Sequence, residues 1–153
     1  MDVIARADPG LFKAMQADDW PVIVIDEPDD LLPLIPRVGF GQVLAMAEGL
    51  KRANGLTGLH TPDLPALLRG TTLINRGNLR PDAKASGYDE TRYLAYTLAH
   101  EYDHHVHDSD EPEAYAAGKT FALKMGDQDI ARGSDETEAR VMRNKAAGGD
   151  GSY

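Results

Sequence analysis

Tyr96-Thr97-Leu98-Ala99-His100-Glu101-Tyr102-Asp103-His104 is the stretch on which the reading of this chain turns. Asp89 supplies a helix cap upstream, and a helical pattern runs from there to about His107. Four residues make about one helical turn, so His100 and His104 stand on one face, one imidazole above the other. Two nitrogens so placed can reach one Zn²⁺ at about 2.1 Å each. Glu101 lies beside them, angled to hold a water rather than the ion. Zinc lowers the pKa of such a water to about 7, and Glu101 can take its proton and pass it to a leaving amine. The competing reading is a helix of solvated histidines, since four of the five histidines of the chain lie between 100 and 107.

Two histidines and a water leave zinc one protein ligand short. The candidates are His107, Asp108, Asp110, Glu111 and Glu113. His107 lies about 10 Å along an unbroken helix from His100, too far to share one ion. Asp110 stands six residues after His104, but the glycine that would ease a tight turn is replaced by His107. Ser109 to Glu111 offer caps for a second helix, and Pro112 suits its first turn. On that helix Glu113 shares a stripe with Ala117 and Phe121, and a carboxylate on an apolar stripe needs a strong partner. Glu111 shares a face with Tyr115 and Lys119, which reads as solvated. Glu113 is therefore the preferred third ligand, with a favourable helix-dipole site as its ordinary explanation. From Tyr93 to Gly118 there are six acids and no lysine or arginine, a field that favours a cation.

The 153 residues are enough for one domain with a real core. With no cysteine, disulfides and thiolate sites are excluded, so a metal must be held by His, Asp or Glu. The net charge of −9 argues against a broad nucleic-acid surface. The start, Met1 to Arg6, does not read as a signal peptide, and no apolar run is long enough for a bilayer. The expectation is a cytoplasmic protein with a protein or peptide substrate, no nucleic acid and no membrane. Residues 1–147 read as one domain, and 148–153 (GGDGSY) as a flexible tail.

Outside the central helix, Leu11 to Ala17 suggests a short helix and Trp20 to Ile25 a buried strand. Asp26 to Pro36 reads as a loop or short helix. Gln42 to Ala53 reads as a helix stopped by Gly55. His60 to Pro65 is turn-rich, Thr71 to Asn75 is a strand, and Arg80 to Gly87 a loop. Further helices are expected from Pro112 to Met125 and from about Glu136 to Ala147. The fold class is α+β: a small sheet packed against the helix that carries His100 and His104. Gly39-Phe40-Gly41 lacks the rest of a dinucleotide fingerprint and reads as a turn. Asp103 is either an orienting partner of a ligand or an exposed acid. Tyr93 and Tyr96 line a pocket or fill the core, and Tyr115, Arg140 or a histidine are the candidate oxyanion donors.

The residues Tyr96 to Glu101 with His104 resemble the active-site helix of the ImmA/IrrE-type metallopeptidases. Ile74-Asn75, Leu79 and Arg92 are similar to what precedes it, and Glu113-Ala114 with Phe121-Ala122 to the segment that carries the glutamate ligand. The resemblance covers about residues 71–125. It implies a zincin-like, gluzincin domain with zinc on His100, His104 and Glu113 and with Glu101 as base, cutting a regulatory protein. Asp103 stands where that family usually has glycine, and no helix-turn-helix module is evident before residue 70. A strand beside the helix, here Thr71 to Asn75, would pair with an extended substrate or else be an ordinary interior strand. From a different class comes a catalytically inactive, metal-stabilised interaction module, which would not need Glu101. Hydrolysis of a non-peptide amide is a third reading.

Overall fold

The computed structural model describes residues 1–18, 20–51, 53–57 and 70–148. Two short helices, α1 (Asp2–Ala7) and α2 (Pro9–Ala17), lead into strand β1 (Val22–Ile25). A 3₁₀ turn (Pro28–Leu34) and α3 (Ile35–Val38) follow, then α4 (Phe40–Leu50), β2 (Gly55–Leu56) and β3 (Thr72–Asn75). The rest is helical: α5 (Arg76–Ser86), α6 (Glu90–His107), α7 (Glu111–Lys124) and α8 (Gln128–Ala146). The described chain is thus mostly helical with one small mixed sheet, an α+β arrangement. No helix among the described residues is long and apolar enough to cross a membrane. His60 and the segment 149–153 lie outside the described residues.

The sheet order is β1-β3-β2. β3 runs parallel to β1, from Val22 opposite Thr72 to Ile25 opposite Asn75, and antiparallel to β2, with Gly55 opposite Ile74. Thr72 to Asn75 are buried throughout, as a central strand requires. β3 is thus paired on both sides and is an interior strand, which removes it as a template for a substrate backbone. β1 is not the buried strand that its apolar run suggests: only Ile25 is buried and Val24 is 50% exposed. An edge strand next to a single neighbour has less to cover it.

Three apolar clusters hold these elements. Ile25, Leu31, Val43, Met46, Leu50 and Leu73 join the sheet to α4. Ile4, Met15, Ala95, Ala99, Tyr102 and Phe121 dock α1 and α2 on α6 and α7. Tyr96, Ala122, Ile130 and Ala131 lock α6, α7 and α8 together.

The helices differ from the sequence reading in four places: α1 and α5 are not expected, α4 begins at Phe40 where Gly39-Phe40-Gly41 reads as a turn, and α8 begins earlier than expected. The expected loop at Arg80 to Gly87 is the second half of α5, whose start is capped by the Asn75 side chain accepting from the Asn78 amide at 3.3 Å. Gly87, at φ 74°, ends it in the left-handed conformation. Leu79 and Ala83, four apart, are its buried face. α8 begins eight residues before the expected Glu136, capped by Asp127. Gly133 and Ser134 sit inside it for packing reasons. A Cβ at Gly133 would overlap the Tyr88 hydroxyl, and buried Ser134 accepts a 3.0 Å hydrogen bond from Tyr96 Oη. Gly55 does not simply end α4, which stops at Leu50, but belongs to β2.

Asn75 ties the sheet to its surroundings. It is 2% exposed, donates through Nδ2 to the Leu50 carbonyl at 2.8 Å and caps α5. Asn75→Ala removes one of two donors to the Leu50 carbonyl, Asn78 Nδ2 being the other, leaves the Asn78 amide uncapped and should cost about 1–2 kcal/mol. Equilibrium urea unfolding, with an unchanged m-value, checks this.

Candidate metal centre

The α6 helix starts at Asp89, whose side chain accepts from the Arg92 amide at 3.0 Å. Its apolar face docks on α1, α2 and α7, so the turn holding His100 and Glu101 is carried into the interior; each is 4% exposed. The helix ends at Asp108, which adopts the left-handed conformation at φ 50°. Among the described residues it is the only non-glycine residue with positive φ. Aspartate tolerates that conformation better than most residues. The chain turns through Ser109 and re-enters a helix at Asp110, the cap of α7.

That turn does two things. It points the Ser109 carbonyl at His104 Nδ1, 2.8 Å away, so Nδ1 donates and Nε2 carries the free lone pair. It also brings the first residue of α7, Glu111, back over the histidines. His100 Nε2 and His104 Nε2 are 3.2 Å apart, Glu111 Oε2 is 3.7 Å from the former, and Glu111 Oε1 is 3.6 Å from the latter. Two ligands about 2.1 Å from one tetrahedral ion stand about 3.4 Å apart. The three side chains form a group able to hold a metal ion. Glu111 Oε2 is buried with no hydrogen-bond partner among the described residues, as a carboxylate awaiting a cation would be.

Glu113, the expected ligand, is not in this group. It is exposed and closes a capping box: its Oε2 accepts from the Asp110 amide at 3.1 Å, and its own amide donates to Asp110 Oδ1 at 3.2 Å. The stripe argument chose the wrong face. Tyr115 is 5% exposed and its ring centroid lies 4.6 Å from that of His100, so the face of Glu111 and Tyr115 is the one turned to α6. Asp110 is a cap and pairs with Lys145 at 2.8 Å. His107 and Asp103 pair with each other at 2.8 Å, which places Asp103 on His107 rather than on His100 or His104. His105 faces Asp18, with Nε2 to Oδ2 at 3.4 Å.

The Glu101 carboxylate packs against β2, within the field of His104 and Glu111. A Cβ on Gly55 would overlap its carboxylate, standing 2.6 Å from Cδ and 2.8 Å from Cγ. Burial pushes its pKa up to about 7, against a hydrogen bond from the Thr57 side chain that favours the carboxylate. Its Oε2 has no hydrogen-bond partner among the described residues. Burial drives His100 the opposite way, down to about 3, with the neighbouring His104 adding to the effect. The ring is neutral at any ordinary pH, the form that ligates metal. Glu111 is raised, again by burial first.

A cavity of about 380 Å³ opens beside His100 and Glu101, walled by Tyr93, Tyr96 and Tyr115 and by α8. Tyr93 and Tyr96 thus do both things expected of them: they pack, and they line a pocket. Two of the candidate oxyanion donors, Tyr115 and Arg140, also border it. Gly55 is the position against Glu101 that sequence reasoning missed. Its signal, a glycine at the start of an apolar pair, is indistinguishable in sequence from a helix stop.

In comparisons with known proteins, no family model, no curated protein and no solved structure matches this chain.

Gly55→Ala forces Glu101 or β2 to move and should cost about 1–3 kcal/mol. Glu113→Gln preserves the capping box and should stay within about 0.5 kcal/mol of the parent. Thermal unfolding of the two variants side by side tests both.

Proposed function

We propose that this chain is a zinc-dependent metallopeptidase with a small zincin-like domain, of the gluzincin kind and akin to the ImmA/IrrE-type enzymes. His100, His104 and Glu111 hold the metal, and Glu101 is the general base. A cytoplasmic setting and a protein or peptide substrate belong to the same reading. The observation that carries it is the convergence of two imidazole Nε2 atoms and the half-buried Glu111 carboxylate within 4.8 Å of one another, with a buried carboxylate, Glu101, next to His100 on α6. A purely structural site has no use for that second carboxylate.

The donor set fits zinc: two neutral nitrogens and one oxygen, all from the protein, with one position left for chemistry. Bound there, zinc would supply a Lewis acid that acidifies water and polarises a carbonyl oxygen. The chain's own residues supply the rest. Ser109 holds His104 in the tautomer that leaves Nε2 free. Glu101 is the residue to take a proton from the attacking water and return it to the leaving amine. Its raised pKa suits both halves of that transfer near neutral pH. Tyr115, against the His100 ring and on the cavity wall, is placed to donate towards a developing oxyanion. β2 is the strand nearest Glu101, which makes it the better template for an extended substrate.

Protein purified without added metal should carry about one zinc per chain. His104→Ala and Glu111→Ala should each weaken zinc binding by more than about 100-fold, while Glu113→Gln keeps it. Glu101→Gln should retain zinc and lose about 10²–10⁴ of any peptide hydrolysis. Retention of full function by Glu101→Gln would favour a metal-stabilised interaction module instead.

A further inference from the structure

The cavity beside the proposed metal site has an uneven chemistry. Its inner end is formed by His100 and Glu101. From there a ladder of rings runs along α6. Tyr96 lies 6.5 Å from His100 between ring centroids, Tyr93 stacks on Tyr96 at 5.8 Å and 7°, and Tyr88 follows at 5.4 Å. All four rings border the cavity. Two exposed carboxylates also border it, Asp82 from α5 and Glu136 from α8. Asp82 Oδ2 accepts from Asn54 Nδ2 at 3.0 Å, and the same amide donates to Tyr93 Oη at 3.2 Å, which ties this carboxylate to the aromatic wall.

We propose that this cavity receives a cationic side chain, lysine or arginine, of the peptide substrate next to the bond that is cut. The proposal rests on the peptidase reading above. Stacked tyrosine faces suit the methylene stem and attract the charge through their quadrupoles. The carboxylates offer the cation its partners. Against them stands one cation, Arg140, a turn along α8 from Glu136. Among the described residues, the exposed border carries two acids to one base. The field is felt by the wall itself. The hydroxyl pKa values of Tyr88 and Tyr93 are raised, first by burial and then by Glu136 and Asp82 respectively. An acidic side chain would meet those carboxylates, and a short apolar one would leave them without a partner.

The test uses the full chain labelled with ¹⁵N and three small probes: acetyl-lysine methylamide, acetyl-norleucine methylamide and acetyl-glutamate methylamide. The lysine probe should shift the amides of Tyr93, Thr97, Gly133 and Thr137 and bind at least about fivefold more tightly than norleucine. Glu136→Gln, at an exposed position that leaves the thermal midpoint in place, should remove that advantage. Equal binding of lysine and norleucine, a preference for glutamate through Arg140, or no shifts at these amides would overturn the proposal. The readout needs no turnover. A lysine preference in protein that cuts no peptide would uphold the cationic pocket and count against the peptidase reading alone.

Discussion

The left-handed turn at Asp108 is the constraint on which the site depends. Continued as a helix, α6 would carry the chain away from its own histidines, about 1.5 Å per residue. At φ 50° Asp108 stops it, accepting strain on the order of 1 kcal/mol. Two residues later Asp110 caps α7, and the first helical residue beyond that cap is Glu111. The connection is so short that the register leaves no freedom. The residue directly after the cap faces α6, and the one two further on faces solvent. Packing holds the arrangement from below, through Ala99 and Tyr102 against Phe121 and through Tyr96 against Ala122. Lys145 of α8 ties down Asp110 from the other side.

A second support comes from the sheet. Trp20 Nε1 donates to Thr72 Oγ1 at 2.9 Å, Thr72 and Thr57 share a hydroxyl–hydroxyl hydrogen bond, and Thr57 in turn hydrogen-bonds Glu101. The chain of polar contacts runs from the entry of β1, across β3, to the residue after β2, and ends on the buried carboxylate. It explains why β3 starts on a buried threonine, Thr72, despite being the central strand. It also explains why β2 is present at all: two residues make a poor strand, but they carry Gly55 and lead to Thr57, which between them seat Glu101.

How much of this was legible depended on whether the signal was local. α6 was, because Asp89, the apolar period and the histidine spacing all lie within one element and agree with one another. The pairing of His100 with His104 follows from helix geometry alone. The third carboxylate was not legible, because it depends on how α7 is rotated against α6. The stripe through Glu113, Ala117 and Phe121 and the face of Glu111 and Tyr115 are both partly apolar. Choosing between them required knowing that Tyr115 meets the His100 ring. A capping box was also readable as Asp110 followed three residues later by Glu113, and that motif competes directly with a metal role for Glu113. In α5 the signals at Asn75 and Gly87 were present, but Gly77 and Pro81 between them masked the helix. The exposure of β1 could not be read from its own residues. It follows from the order of the sheet, which places β3 in the middle.

The electrostatics of the site run against stability in the absence of a cation. Two carboxylates, Glu101 and Glu111, are each taken out of water, and each has an oxygen left without a hydrogen-bond partner among the described residues. A buried, unpaired polar group costs about 1–3 kcal/mol, and more when charged. No described lysine or arginine forms a salt bridge with either; what compensates them is the field of His104 and, for Glu111, of Lys145. A chain selected for stability alone would fill these positions with apolar side chains of similar volume. Elsewhere the same chain satisfies its buried polar groups with care, as Asn75 and Ser134 show. Among the described residues, five of the seven unsatisfied buried atoms, on Asn54, His100, Glu101, Ser109 and Glu111, lie around the histidine pair and the cavity; those of Gln42 and His105 do not. The proposed function accounts for that distribution, with a cation to partner Glu111 and a proton to pass through Glu101.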